Sequence, residues 1–180
     1  MAFRMDNYME RWAALYKGIH HTQKAPRFFR CNDEMTFDEF LQNYMRIAEP
    51  ICGIRTNMEG DMDITKRVLK PVYLLMFLQR ADPRDFRNIA DVKYRCLSIA
   101  EDFLIALEKD QKEAARQATS SALLRLDLGN VRYDTMGPLT SANFYAIFVT
   151  IESLEYHKKC YSPSDYYPEK EADWLEHRRD

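Results

Sequence analysis

The stretch from Ala142 to Tyr156, A-N-F-Y-A-I-F-V-T-I-E-S-L-E-Y, contains neither Gly nor Pro and alternates along its length. Tyr145, Ile147, Val149 and Ile151 share one side of an extended chain, and Phe144, Ala146, Phe148, Thr150 and Glu152 share the other. β-Branched and aromatic residues at period 2 predict a strand, here longer than the usual about five or six residues. The second side begins apolar and ends polar. A strand of this kind needs a cover for at least one face, and the amphipathic segment Asp82 to Lys109 is the cover the sequence offers. The fold class predicted is α+β, a small antiparallel or mixed sheet covered on one face by amphipathic helices.

In chain order, Asp6 as cap and Tyr8, Met9, Trp12, Leu15, Tyr16 and Ile19 at helical spacing predict a helix over 6–19. It ends at Gly18 and the polar His20-His21-Thr22. A connection through Pro26 to Asp33 follows, with Phe28 and Phe29 tucked against the body. Met35-Thr36-Phe37-Asp38-Glu39-Phe40 is a capping box with a hydrophobic staple, opening a helix that shows Phe37, Phe40, Leu41, Tyr44, Met45 and Ala48 on one face and runs to Pro50. From Ile51 to Asp63 the pattern dissolves, with Gly53 and Gly60 marking turns. Val72 to Leu78 is short enough for a strand buried on both faces, a helical segment being the alternative, with Pro71 at its start or edge.

Asp82-Pro83-Arg84-Asp85 then reads as cap, first-turn Pro and first-turn acid. Phe86, Ile89, Ala90, Cys96, Leu97, Ala100, Phe103, Leu104 and Leu107 form the stripe of that helix, and the polar run after Leu107 frays or extends it. Leu124, Leu126 and Leu128 alternate with Arg125 and Asp127, giving a strand that turns at Gly129-Asn130. Tyr133 to Ser141 reads as a loop, so this strand and the one from Ala142 pair antiparallel. Domain organisation follows as 1–34 helix and connection, 35–160 α+β core, and 161–180 an aromatic and charged tail.

Chemistry is sparse. The net charge of −2 gives no global reason to bind nucleic acid or an anionic membrane. In residues 1–30, Arg4, Arg11, Lys17, Lys24, Arg27 and Arg30 outnumber Asp6 and Glu10, and aromatics lie between them, yet positions 8, 12 and 16 repeat as a core-facing helix would. No phosphate loop, dinucleotide fingerprint, nucleophile elbow or H-E-x-x-H is present. His157 and Cys160 make an H-x-x-C spacing that could supply two metal ligands or a Cys–His pair, with His20, His21 and Cys31 as further ligands, but tight local pairing is lacking. Asp61-x-Asp63 lacks the later ligands of a calcium loop. The acid neighbours Glu101-Asp102 and Glu152/Glu155 lie on element surfaces. No cofactor, metal or catalytic residue is expected. Four cysteines without a C-x-x-C pair suit reduced thiols, and the N-terminus has no apolar signal core, so an intracellular chain without membrane spans is expected.

The order of elements, with Leu74 to Lys109 as strand, Asp-Pro and amphipathic helix, and Arg132 to Tyr156 as loop and long alternating strand, resembles the phage tail terminator or tail-completion family. The resemblance spans residues 8–160. It implies a homo-oligomeric ring, commonly sixfold, seated on the last tail-tube ring and joined to the head connector, assembled in the host cytoplasm and carried in the virion, with no catalytic residue. The Tyr/Pro/Met segments suit subunit or tube contacts, giving Tyr133, Met136, Leu139, Tyr161, Tyr166 and Tyr167 as the candidate interface. A cellular protein-interaction or regulatory module without catalysis is the alternative.

Overall fold

A computed structural model describes residues 4–32, 34–56, 59–117, 122–139 and 143–156. Among the described residues there are three α-helices, one short 3-10 helix and seven strands, and the strands form one mixed sheet, the α+β class expected. The strands are β1 (Phe28–Cys31), β2 (Ile51–Arg55), β3 (Glu59–Asp63), β4 (Val68–Arg80), β5 (Leu126–Leu139), β6 (Phe144–Ser153) and β7 (Glu155–Tyr156). The order is β1-β2-β4-β6-β5, with β3 and β7 both pairing to β4 and only β1 and β2 running parallel. The long strand from Phe144 is therefore flanked by a second, β4, which is paired along both sides.

Pro71 lies inside β4, not at its start. It falls where the pairing of β4 passes from β6, ending at Val72 with Glu152, to β7, beginning at Leu69 with Glu155. Between them the Leu154 N–H turns away and donates to the Arg125 carbonyl at 2.9 Å. A residue with no N–H is tolerated where the ladder is already broken.

Several local expectations are corrected. Helix α1 (Met5–Leu15) starts before Asp6 and stops at Tyr16, so Asp6 is a first-turn acid and not the cap. The segment expected as a connection is strand β1, and the segment expected to dissolve holds β2 and β3. β2 is buried on both faces, so its I-C-G-I run carries no alternation to read. Gly53 is no turn: it leaves room for the Phe29 ring, which lies directly over its backbone. Gly60 sits within β3 at φ +151°, its bare Cα against the Lys70 carbonyl, a place for glycine alone. Helix α2 (Glu34–Asn43) begins two residues before Thr36 and ends well before Pro50, so the capping-box reading places its start too late and Met45 and Ala48 lie beyond it.

Helix α3 (Phe86–Arg116) is 31 residues long, and its cap is Asp85, whose side chain accepts from the Arg87 and Asn88 amides. Asp82 instead closes the preceding turn, accepting from the Arg84 amide. Phe86 and Ala90 point to solvent, while Val92, Cys96, Ile99, Ala100, Phe103 and Leu107 form the buried stripe. Finally, Gly129-Asn130 is a bulge within β5, and 133–139 continue that strand instead of looping. Asp127 clasps the bulge, accepting from the Gly129 amide and the Asn130 side chain. β5 does pair antiparallel with β6, as expected.

The cover is unequal. α1 and α3 lie over the face that carries Tyr145, Ile147, Val149 and Ile151, together with Phe77, Leu75 and Cys52. Trp12 stands edge-on to Phe103 and Phe77 at 5.1 and 6.3 Å between centroids. The opposite face carries α2, which the sequence alone does not place: Leu41 and Tyr44 pack with Phe29, Met76, Leu78, Phe144 and Ala146.

Candidate interface on the α2 side of the sheet

The reach of α2 sets the geometry of this face. Its 10 residues span about 15 Å at 1.5 Å per residue, whereas the 13 residues of β4 span about 43 Å at 3.3 Å per residue. The helix therefore ends over part of the strand, and register decides which part. Met76, Leu78, Phe144 and Ala146 lie beneath it. Farther along the strands, Leu74 with Thr150 and Arg132, and Val72 with Glu152, lie outside that cluster, whereas Cys31, paired with Arg55, is still buried within it.

At this boundary Cys31, Phe37, Asp38, Arg55, Leu74, Met76, Met136, Leu139 and Phe148 line a trough of about 310 Å³. Its floor is apolar, with Met76 buried and Leu74 and Phe148 half-buried. One wall is β5, which among the described residues pairs only with β6 and so forms the edge of the sheet. An edge strand offers unpaired backbone groups for another chain, and the bulges at 128–131 and 137–138 limit the regular part to Arg132–Met136.

The predicted interface residues divide. Met136 and Leu139 line the trough. Tyr133 pairs with Val149 and so points to the opposite, α3-covered side, where it is 62% exposed at the sheet edge. Tyr161, Tyr166 and Tyr167 lie outside the described residues, as do His157 and Cys160. Sequence reading missed the lining residues Phe37, Leu74, Met76 and Phe148 as surface, although the passage of β6 from Phe148 to Thr150 and Glu152 marks the edge of the covered zone.

Two of the residues considered for chemistry, His21 and Cys31, have structural partners. The His21 Nδ1 accepts from the Arg27 and Phe28 amides at 3.0 and 3.2 Å, fixing the entry to β1. Cys31 directs its thiol at the Ile54 carbonyl, 3.8 Å away. Cys52 and Cys96 are enclosed in the core, and burial pushes both thiols up, Cys96 to about 12, opposite to the shift that activates a nucleophile. Among the described residues no three His, Cys, Asp or Glu side chains converge as a metal site.

Charge is used to fasten α1. Asp6 accepts from Arg4 and from Arg30 of β1, the latter at 2.9 Å, and Glu10 accepts from Arg30 at 2.8 Å. Burial raises the Asp6 carboxyl, but the hydrogen bonds from Arg4 and Arg30 outweigh it and hold the group below its ordinary range. Arg30 likewise holds Glu10 low. From the same helix the Tyr8 hydroxyl donates to Asp110 at 2.9 Å, and Tyr16, the residue just past its end, donates to Asp102. Burial first, then those carboxylates, raise both phenols, Tyr16 to about 12. These contacts join α1 to β1 and α3.

No helix among the described residues is long and apolar enough to cross a membrane. A scan against protein-family models and a search of curated proteins find no match.

Proposed function

We propose that the chain is a structural, non-catalytic subunit of a phage tail or related contractile particle, a tail-terminator-like ring that caps the tail tube and joins it to the head connector in the virion. The observation that supports this best is the half-open α2 side of the sheet, where an apolar trough adjoins the edge strand β5. Closed rings are built from heterologous contacts, which require two different surfaces on each copy. An apolar surface left open beside a sheet edge is material for such a contact. In this reading Met136 and Leu139 belong to one surface, Tyr133 borders it across the sheet edge, and Tyr161, Tyr166 and Tyr167 supply further contacts to self or tube.

The test is the mass of the purified chain by light scattering, with negative-stain images of the same sample, alone and with tail tubes. Closed rings, or rings added to tube ends, are the expected result. A monomer that neither closes nor adds to tubes, and that captures one cellular partner at fixed stoichiometry, would replace this reading with an adaptor.

A further inference from the structure

We propose that the edge strand β5 pairs with β5 of a second copy of this chain, antiparallel and about a two-fold axis at Tyr133. The contact goes beyond the ring reading and does not depend on it, since a two-fold contact is isologous and closes at two copies.

Strand alternation decides which backbone groups β5 leaves open. Just before β6 the Asn143 carbonyl accepts from the Ala81 N–H at 3.2 Å, and just after it the Leu154 N–H donates to the Arg125 carbonyl at 2.9 Å. Backbone groups alternate in direction along a strand, so odd-numbered residues of β6 bond to β4 and even-numbered ones to β5. Thr150, Phe148 and Ala146 therefore bond to their register partners Arg132, Asp134 and Met136. Tyr133 and Thr135, between them, turn their N–H and C=O groups outward past the sheet edge. The Thr135 N–H bears this out: it donates to the Asp134 carboxylate of its own strand at 2.7 Å.

Two such edges can pair about an axis at any residue of the regular run, and the side chains choose among them. An axis at Arg132 or at Asp134 sets that charge against its own copy, which is unfavourable. An axis at Thr135 sets Asp134 against Met136 and runs Tyr133 into the bulge at 137–138. An axis at Tyr133 sets Arg132 of each copy against Asp134 of the other, Tyr133 against itself and Thr135 against Val131. Opposite charges, an aromatic pair and β-branched pairs are the cross-strand combinations that stabilise a sheet.

The charges involved are available. Among the described residues neither Arg132 nor Asp134 makes an ion pair. In the pair they form a square, each Arg flanked by two Asp groups with the like charge across the diagonal. Of the other charges on this side, Asp127 and Glu152 lie beyond the bulge at 128–131, and Asp127 is held by Gly129 and Asn130. Asp38 and Arg55 stand at the trough and are opposite in sign. On pairing, the Thr135 N–H passes to the backbone of the second copy and frees the Asp134 carboxylate for Arg132. On the α3-covered side the Tyr133 rings, each 62% exposed in a single copy, cover one another.

The experiment measures light-scattering mass of the full chain over a dilution series. A dimer that dissociates on dilution is expected. Arg132→Asp alone, or Asp134→Arg alone, makes both cross-strand pairs like-charged and should weaken dimerisation at least about tenfold, with the circular-dichroism melt unchanged. Mixing the two variants restores opposite charges at both pairs and should return a heterodimer. Register is read separately in a chain carrying Cys160→Ser, since Cys31, Cys52 and Cys96 are buried. Tyr133→Cys in that chain should form an interchain disulfide on mild oxidation, because facing residues of a hydrogen-bonded pair stand about 5.5 Å apart, within disulfide reach. Thr135→Cys should not. A parent that stays monomeric, a dimer that neither reversal weakens, or crosslinking at Thr135 in place of Tyr133 would each overturn the contact. Rings that keep their mass through both reversals would overturn it while leaving the ring reading intact. A dimer that obeys the reversals and builds no ring would uphold it and remove the ring.

Discussion

The two faces of the sheet are made from alternate residues of the same strands, yet they are closed to different extents. On one face α3, 31 residues long, lies beside α1, and Phe77, Phe103 and Leu107 are sealed from water. On the other, α2 has 10 residues and its cover stops between Met76 and Leu74. The first face has the closure of a folding core. The second has that closure only beneath α2, and past it the apolar surface is partial and mixed with charge. The difference separates residues held for stability from residues available to a partner, and it can be broken by substitution.

The largest effect is expected at Phe103, which is fully buried among Tyr8, Trp12 and Phe77. Phe103→Ala should cost about 3–5 kcal/mol, as deleting a buried ring leaves a cavity. Phe148→Ala, at the half-open floor of the trough, should cost clearly less. Urea denaturation of both variants decides the matter, and equal losses would mean that the second face is as closed as the first.

Beneath α2 the same closure should appear as intolerance of added volume. A methyl at Gly53 meets the Phe29 ring, itself packed against Phe40 and Tyr44. Gly53→Ala is therefore expected to cost about 1–3 kcal/mol by overpacking. A neutral outcome in the same urea assay would show that Phe29 can move and that this half of the face is loose too.

The cover on the first face has fastenings that can be released separately. Because Asp6 and Glu10 titrate below their unfolded values, their contribution is present above the ordinary carboxylate range and is lost as pH falls through the lowered folded values. Asp6→Asn should flatten the fall in melting temperature below pH about 4, leaving the neutral-to-alkaline limb parallel to that of the parent. A parallel offset at every pH would assign Asp6 a packing role only. At the start of α3, Asp85→Ala should cost about 1 kcal/mol, the usual worth of a cap, and Asp82→Ala less. Equal losses would contradict the cap observed at Asp85.

How much of this was legible in the sequence follows the same division. The face under α1 and α3 could be read because β6 alternates cleanly and the α3 stripe repeats at helical spacing through Cys96, Ala100, Phe103 and Leu107, although Val92 and Ile99 also belong to it and the stripe as read omits them. Asp82 reads as the cap because Pro83 suits a first helical turn, but the Asp82 carboxylate closes a tight turn on Arg84 and leaves Asp85 to start the helix. β1 and β2 were illegible for the opposite reason. Strands buried on both faces lose their alternation, and Gly53, a turn signal in isolation, serves as a seat for a ring supplied from another strand. The extent of α2 could not be read either, since Pro50 bounds a helix without saying where it stops. That single length sets the trough, so Met136 and Leu139, named for their composition alone, lie on its lining, whereas Leu74, Met76 and Phe148 read only as strand core.

The smallest effect on stability is expected where assembly is expected to depend most. Met136 is 38% exposed on the trough wall, and Tyr133 is 62% exposed on the other side of the same edge strand. Neither is enclosed by its own chain, so Met136→Ser and Tyr133→Ser should each move the urea midpoint by no more than about 0.5 kcal/mol, the range for surface substitutions. If β5 pairs with a second copy, Tyr133→Ser, on the two-fold axis, should reduce the light-scattering mass of the assembly, while Met136→Ser, at the end of the paired run, should reduce it less. A loss of more than about 1 kcal/mol at Met136 would place that side chain in the folding core. Unchanged stability together with unchanged mass would instead leave β5 an unpaired edge and move the search for the contact to the exposed side of α3.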